Sequence, residues 1–351
     1  MNPITRRRLQ HFRSLKRGYW SFLIFAAIIL VSALAELWIN QRAIVVSYDG
    51  QLYFPTYASQ YSGEDFGQDY PYEANYRELK EQFAAPGNPN WVLMPLIPYG
   101  PDESVYRDGS FPPYPPSART QHYLGTDPLG RDVLARLVYG FRIALGFSLG
   151  LMACTYLLAI LIGCAMGYFG GWFDLTGQRL MEIWTNIPFL YVVIILASTI
   201  PPAVGASARI GALLAVMVIF NWIAMANYMR TAAYRERARD YIAAARVVGA
   251  GPLRIIFRHL LPNTLSIVVT FIPFTVVAGI TALTALDFLG FGIPPPTPSW
   301  GELLQQGTNR LDAPWIVAST FVAMVVVLTL VTFIGEGIRE AFDPKKFSYF
   351  R

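Results

Sequence analysis

Cysteine, histidine and lysine are all scarce in this 351-residue chain, and each scarcity removes a class of function. Cys154 and Cys164 stand ten residues apart in one apolar run, a spacing that keeps their Cα atoms too distant for a disulfide on a helix. Two cysteines make no disulfide framework, and nothing suggests a metal site, since no H-E-x-x-H run occurs. The four lysines are Lys16, Lys80, Lys345 and Lys346, and none closes a G-x-x-x-x-G-K-[ST] loop. Without that phosphate cradle the chain is not expected to hydrolyse ATP itself, and no cofactor is expected on it. Gly146-Phe147-Ser148-Leu149-Gly150 matches G-x-S-x-G, but it lies in the middle of an apolar run where the strained nucleophile elbow cannot form. The histidines, His11, His122 and His259, fall in distant stretches, so Ser148 has no expected base. A serine bonded to its own helix backbone is the expectation, and the chain is not read as an enzyme.

Charged residues are also sparse, at 15%, while 54% of the chain is hydrophobic, a balance that belongs to the membrane class. A helix needs ~20 apolar residues to cross the ~30 Å hydrocarbon core. Six segments qualify, Trp20–Trp38, Ile143–Tyr168, Ile183–Ile200, Ile210–Tyr228, Leu265–Leu286 and Trp315–Ile334. The fold class expected is therefore an all-α membrane protein with six transmembrane helices. Residues 1–18 hold Arg6, Arg7, Arg8, Arg13, Lys16 and Arg17 with no acid, which puts the N-terminus on the cytoplasmic side. Six crossings return the C-terminal tail, with Arg339, Lys345, Lys346 and Arg351, to the same side. The run 20–38 is too long for a removed signal peptide and lacks a small-residue cleavage site, so it reads as a retained first helix. The net charge of +5 follows from these membrane borders and points to lipid, with no nucleic acid as partner.

Four domain blocks follow: a basic N-terminus 1–19, the first helix 20–38, an outside insert 39–126, and a core 127–351 holding the remaining helices. The insert has eleven tyrosines between Tyr48 and Tyr123 and many prolines, which gives it an irregular character suited equally to an interface or to a small aromatic core. Its opening, around Asp49-Gly50, reads as a β-hairpin. Next, Asp127-Pro128 reads as a helix start, with Leu129, Val133, Leu134, Leu137 and Val138 forming a flat amphipathic elbow. Gly163, Gly167, Tyr168, Gly170, Gly171 and Asp174 close the second crossing with close-packing glycines. Proline and glycine crowd Leu286–Gly301 into a rigid outside loop. Among polar groups at the spans, Glu36, Glu182 and Glu336 sit at helix borders, whereas Asn221 and Asn227 line a translocation path or bond between helices. Asp287, at the outer mouth, meets a cationic peptide end or is simply solvated.

The densest signal is Asp240–Asn263, DYIAAARVVGAGPLRIIFRHLLPN, inside a loop 229–264 that carries seven arginines from Arg230 to Arg258. Tyr241, Ala244, Ala245 and Val248 share a helical face, and Gly249 with Pro252 turns the chain back. Small side chains on an exposed helix suit docking to another protein.

This segment resembles the EAA loop of binding-protein-dependent ABC importer permeases, with Ala244, Ala245, Gly249, Leu261 and Pro262 in register. Ala243 and His259 replace the usual Glu and Ile, as they do in the oligopeptide/dipeptide branch. GTDPLGRD at Gly125–Asp132, the glycine run to Asp174, the loop from Leu286 to Gly301 and the tail Gly335–Pro344 resemble that branch in the same order. The long insert is similar to that of the Yej-type peptide permease subgroup, whose importers also admit microcin C. The resemblance implies a type I importer permease in a bacterial inner membrane, taking up peptides, with both termini cytoplasmic and the insert periplasmic. Its implied partners are ATPase subunits that bind the ATP, a second homologous permease chain, a periplasmic peptide-binding protein and the peptide itself. The ATPase-coupling residues carried over are Asp240, Tyr241, Ala244, Ala245, Arg246, Gly249, Leu261 and Pro262. A stand-alone channel or secondary carrier is the alternative, and it leaves the docking helix without a purpose.

Overall fold

The computed structural model describes residues 3–342, apart from 59, 108, 200 and 202–204. Ile200, Asp343, Pro344, Lys345, Lys346 and Arg351 therefore lie outside the described residues. The chain begins with α1 (Pro3–Ser14), α2 (Lys16–Ala33) and the single turn α3 (Ala35–Trp38). The insert supplies β1 (Val45–Tyr48), β2 (Gln51–Tyr53), α4 (Tyr76–Phe83) and β3 (Trp91–Leu93). Then come α5 (Val133–Phe169), α6 (Gly171–Thr185), α7 (Phe189–Thr199), α8 (Ala206–Arg237) and α9 (Asp240–Val247). A short α10 (Pro252–Ile255) passes through a π-helical stretch, Ile256–Leu260, into α11 (Leu261–Phe288), and α12 (Trp300–Asn309) and α13 (Pro314–Phe342) complete the order.

Five helical runs are long and apolar enough to cross a membrane: α2, α5, α8, Pro252–Phe288 and α13. Helices α6 and α7 qualify only as a pair bent by 72°, giving six if the pair is one span. A single straight crossing over 183–200 was the expectation, and the chain breaks it at Asn186-Ile187-Pro188. Pro188 has no N–H to continue the helix and disfavours helical backbone at Ile187. Asn186 closes the break by donating Nδ2–H to the Glu182 carbonyl at 2.7 Å.

The chain divides into two compact units, and the first takes in the chain up to Phe25, Ala144–Pro294 and the chain from Val326. Its core is built from Tyr156, Met166, Met181, Met229, Ile242, Ile255 and Leu260, all buried. Helices α5 and α8 meet backbone to backbone, because a side chain at Gly163 would press on the Ala226 carbonyl and one at Gly167 on the Arg230 carbonyl. Gly170 and Gly171 both take left-handed φ, 65° and 56°, and reverse the chain between α5 and α6. Asp174 therefore belongs to α6, where it holds the Arg230 guanidinium of α8 through both carboxylate oxygens, one arm at 2.6 Å. Arg230 is thus a residue of α8 with an ion-pair partner.

The second unit comprises Ala26–Ile143 and Pro295–Val325. The insert is more ordered than its composition suggests. Its sheet runs β2-β1-β3, antiparallel throughout, and Asp49 and Gly50 turn the expected hairpin with φ of 47° and 77°. The tyrosines divide between the two roles considered for them. Tyr48, Tyr53, Tyr61 and Tyr76 set their rings around buried Phe66 at centroid distances of 5.2–6.1 Å. Tyr57, Tyr72 and Tyr106 stay exposed.

The segment 125–132 differs from the amphipathic elbow expected of it. Helix α5 starts at Val133 and runs unbroken for 37 residues, and its N-terminal N–H groups are capped by Asp132, whose Oδ1 accepts from Ala135 N at 2.8 Å. Asp127 instead caps its own turn, accepting from Leu129 N and Arg131 N, both at 2.9 Å. Its second oxygen binds Arg131 at 2.6 Å, and Glu302 of α12 grips Arg131 and Arg136 at 2.7 and 2.6 Å. Arg131, Arg136 and Asp127 are all buried. His122, also buried, stacks on Tyr99 at 3.9 Å and meets Asp132 through Nδ1 at 2.8 Å. Glu36 pairs with Arg142 at 2.6 Å.

Three stability outcomes follow. Gly163→Val forces α5 and α8 apart and should cost about 1–3 kcal/mol, read as a lower thermal midpoint in detergent. Gly146→Ala, with open space around that position, should leave the midpoint in place or raise it. Glu302→Gln leaves two buried guanidiniums short of an anion and should cost about 3–5 kcal/mol in the same measurement.

Candidate docking surface and membrane crevice

Helix α8 gives way to α9 across only Ala238 and Arg239. Ile242 is fully buried and plugs α9 into the core beside Ile255, Ile256 and Leu260. The Tyr241 hydroxyl donates to Glu236 at 2.7 Å and accepts from Asn263 Nδ2 at 3.1 Å, tying the end of α8 to the start of α11. Burial, and then the Glu236 carboxylate, push this phenol above its ordinary pKa, so it keeps the proton it donates. Arg246 lays its guanidinium over the Tyr168 ring, 5.3 Å from the centroid. Asp240 sits exposed in the first turn of α9, where its charge suits the helix dipole.

The end of α9 is a Schellman turn, with Gly249 N bonded to the Arg246 carbonyl at 2.9 Å and Ala250 N to the Ala245 carbonyl at 3.0 Å. Gly249 has φ of 84°, and nothing lies within 4 Å of where its Cβ would be. Glycine is needed there for backbone conformation, since the space around it is open. Of the face expected to dock, Ala244 and Val248 are exposed, Ala245 is half-buried, and Tyr241 is engaged within the chain. The patch also includes Val247, Leu253 and Phe257, with Val247 and Val248 88% and 87% exposed. Sequence reasoning missed these three, although two valines directly before a helix-ending glycine were a usable sign. Leu261 and Pro262 do not end a helix. They sit where the π stretch passes into α11, with Leu261 N bonded to the Ile256 carbonyl. The wider turn lets the helix continue past Pro262, which has no N–H to offer.

The polar residues of the spans separate into two fates. Asp287 is 7% exposed and accepts from Ile293 N at 2.6 Å, while Gly292 packs so tightly on its carboxylate that a Cβ there would overlap it. It is buried rather than solvated, and it braces the start of the proline-rich loop. Asn221 and Asn227 are exposed on α8. Asn227 lines a cavity of ≈ 370 Å³ with Gln178, Glu182, Thr185 and Asn186, and both asparagines line an adjoining one of ≈ 440 Å³. Asn221 returns one amide hydrogen to the Met217 carbonyl at 2.7 Å. Glu182 lies in the last turn of α6, just before the break, and it accepts from Arg179 at 2.6 Å. Ser148 donates to the Ala144 carbonyl at 2.7 Å, as expected of a helix serine. No group of three His, Cys, Asp or Glu able to hold a metal occurs among the described residues.

Long apolar helices, a projecting small-residue helix and a polar crevice define a membrane-spanning transport subunit. Residues 159–348 match the binding-protein-dependent transport system inner membrane component family, and the chain belongs to it. It is 41% identical over 99% of its length to the inner membrane ABC transporter permease protein YejE of Escherichia coli, covering 98% of that protein. The peptidoglycan transport system permease protein YejE of Agrobacterium fabrum is 38% identical, with 98% of this chain and 94% of that one covered. The oligopeptide transport system permease protein OppC of Mycobacterium tuberculosis is 33% identical over 72% of this chain and 84% of its own.

Proposed function

We propose that the chain is one half of the translocation channel of an ATP-driven peptide importer in a bacterial inner membrane. The observation that carries this reading is α9, which is plugged into the core at Ile242 and closed at Gly249, yet presents Val247, Val248 and Leu253 to solvent. An apolar patch held this rigidly is suited to a groove on another protein. The occupant is an ATPase subunit, with Asp240, Tyr241, Ala244, Ala245, Arg246 and Gly249 shaping the docking helix and Leu261-Pro262 the helix behind it. A second permease chain completes the channel, and a periplasmic binding protein delivers the substrate. The arginines of residues 1–18 keep the N-terminus cytoplasmic, which sets α9 on the ATPase side and residues 39–126 in the periplasm.

The substrate class is peptide. Relatives described as transporting oligopeptides and peptidoglycan support it, because a peptidoglycan fragment carries a short peptide stem. Closure of the ATPases pulls on α9 and shifts the bundle between two states that expose the path to opposite sides.

Gentle purification of the tagged chain should bring down a P-loop ATPase and a second permease in stoichiometric amounts. A chain that emerges alone, or only with its own copies, overturns the reading in favour of a stand-alone channel or secondary carrier. Val248→Asp places a charge in the patch without touching the Gly249 turn. It should weaken ATPase docking by at least ~10-fold, the effect of ~1.4 kcal/mol at an interface anchor, with membrane insertion intact. Gly249→Arg should likewise abolish peptide uptake, and normal uptake by both variants would refute the docking role.

A further inference from the structure

We propose that the crevice along α6, the break at Asn186–Pro188 and α8 is the peptide-facing wall of the path, and that its amides recognise the peptide main chain. The proposal rests on the importer reading above and assigns it a binding surface. Asn186, Asn227 and Glu182 all point away from the interior of their own chain. Amide and carboxylate groups within spanning helices are costly against lipid and face a bundle interior or a water-filled cavity. The irregular backbone at Asn186-Ile187-Pro188 carries the same implication, because broken helix at membrane depth is tolerated only where it is covered by protein or lines water. Two unrelated features of one crevice therefore exclude lipid from it.

The crevice is also bounded. Trp184 stands between it and a second groove of ≈ 500 Å³, whose lining is apolar and includes Leu158, Ile162, Phe173, Leu180 and Trp222. The Trp184 indole N–H donates to the Ile219 carbonyl at 3.1 Å, which pins the ring as a divider. Polar lining is thus confined to one side of one tryptophan.

Its chemistry fits a peptide backbone. Gln178 and Asn186 each give one amide hydrogen to their own helix and keep the other with the amide oxygen, Asn227 keeps both, and the Thr185 hydroxyl, which donates to the Met181 carbonyl, can still accept. These remaining donors and acceptors match main-chain amides, and no side chain of the peptide is needed to satisfy them. Glu182, held at 2.6 Å by Arg179, adds one anion for a terminal ammonium without giving the wall a net charge. The Asn227 amide makes no hydrogen bond within the described chain, so its full capacity is open to a ligand. A wall of this composition grips peptides of unrelated sequence with similar, modest strength, which is what passage requires.

The test uses the complete transporter with its native partners, reconstituted in vesicles, with Cys154 and Cys164 replaced by alanine. Single cysteines at Asn186, Asn227 and, as a control on the exposed apolar face of α13, Val326 are exposed to a charged, membrane-impermeant thiol reagent. Asn186→Cys and Asn227→Cys should label at least ~10-fold faster than Val326→Cys, and a transported peptide should slow them. Labelling no faster than at Val326 means the crevice is covered by lipid or by the second chain, and labelling that ignores peptide means it is wet but not a binding wall. Either result overturns the proposal. Asn227→Leu should raise KM for uptake about fivefold, the loss of roughly one hydrogen bond, equally for peptides of unrelated sequence. Asn227→Gln should restore it, and a change confined to one peptide sequence would sink the main-chain assignment. Uptake measured on the same vesicles separates the readings. Normal uptake with no labelling removes the crevice alone, while absent uptake and no bound ATPase removes the importer reading.

Discussion

The backbone contact of α5 with α8 at Gly163 and Gly167 is the constraint on which the first unit depends. Lipid tails are as apolar as leucine, so helices in a bilayer gain little from burying hydrophobic faces. They are held by close van der Waals approach and a few well-placed polar pairs. Here the glycines fix α8 to α5, and the Asp174–Arg230 pair fixes α8 to α6 one turn away. Helix α8 then leads into α9 across two residues, and Ile242 locks α9 to the same core. A force on the exposed patch of α9 therefore has no slack loop in which to dissipate. It reaches α8 directly, and it reaches α11 through the Tyr241–Asn263 hydrogen bond. Rigid connection of this kind lets a docking helix transmit movement as well as anchor a partner.

The second unit is held by different physics. Its insert packs Val46, Leu79 and Val92 in a small core with edge-to-face tyrosines around Phe66, supported by the Arg42–Glu73 and Arg77–Glu103 pairs. Where α12 meets the start of α5, four charged groups do the work, with Asp127 and Glu302 sharing Arg131 and Arg136. Each guanidinium has two anions or carbonyls within reach, and Arg136 also donates to the Pro101 carbonyl at 2.8 Å. Buried charge at this density is tolerable only with near-complete pairing. It accounts for the charged residues of Gly125–Asp132 and for Glu302 just after the Pro-Ser-Trp-Gly run without assigning either a ligand.

Hydropathy and local rules made much of this legible. Apolar runs located five of the spans, Asp49-Gly50 announced a hairpin, and Gly249 announced a left-handed helix end. Each of these depends on residues adjacent in sequence. The misreadings concern partners that no local rule marks. Asp127 looked like the cap of a helix because Asp-Pro so often is, yet Asp132 caps it, since Asp127 is drawn to Arg131 and Arg136. Asp287 looked exposed because nothing local marks Ile293 N, six residues on, as its partner. Arg230 looked like loop charge because its counter-ion Asp174 is 56 residues away. The bend at Pro188 was visible as a proline, but an apolar run of ordinary length concealed that the helix turns by 72° there.

The polar crevice poses a sharper question than its size suggests, because most polar side chains of the spans are already satisfied locally. Ser148, Thr155, Thr264, Thr270, Thr284 and Thr332 all donate their hydroxyl to the carbonyl four residues back. A hydroxyl closed in this way has no donor left to satisfy and can face hydrocarbon at little cost. An amide cannot do the same. Asn221 returns one hydrogen to Met217 and still has a second hydrogen and an oxygen to place, and Asn227 has all of its capacity unplaced. These groups sit on the outward surface of a single chain, beside a break in the helix. A surface that is unstable against lipid and unsatisfied by its own chain has to be completed by something else. In the two-chain channel proposed above, water and peptide passing between the chains would supply it.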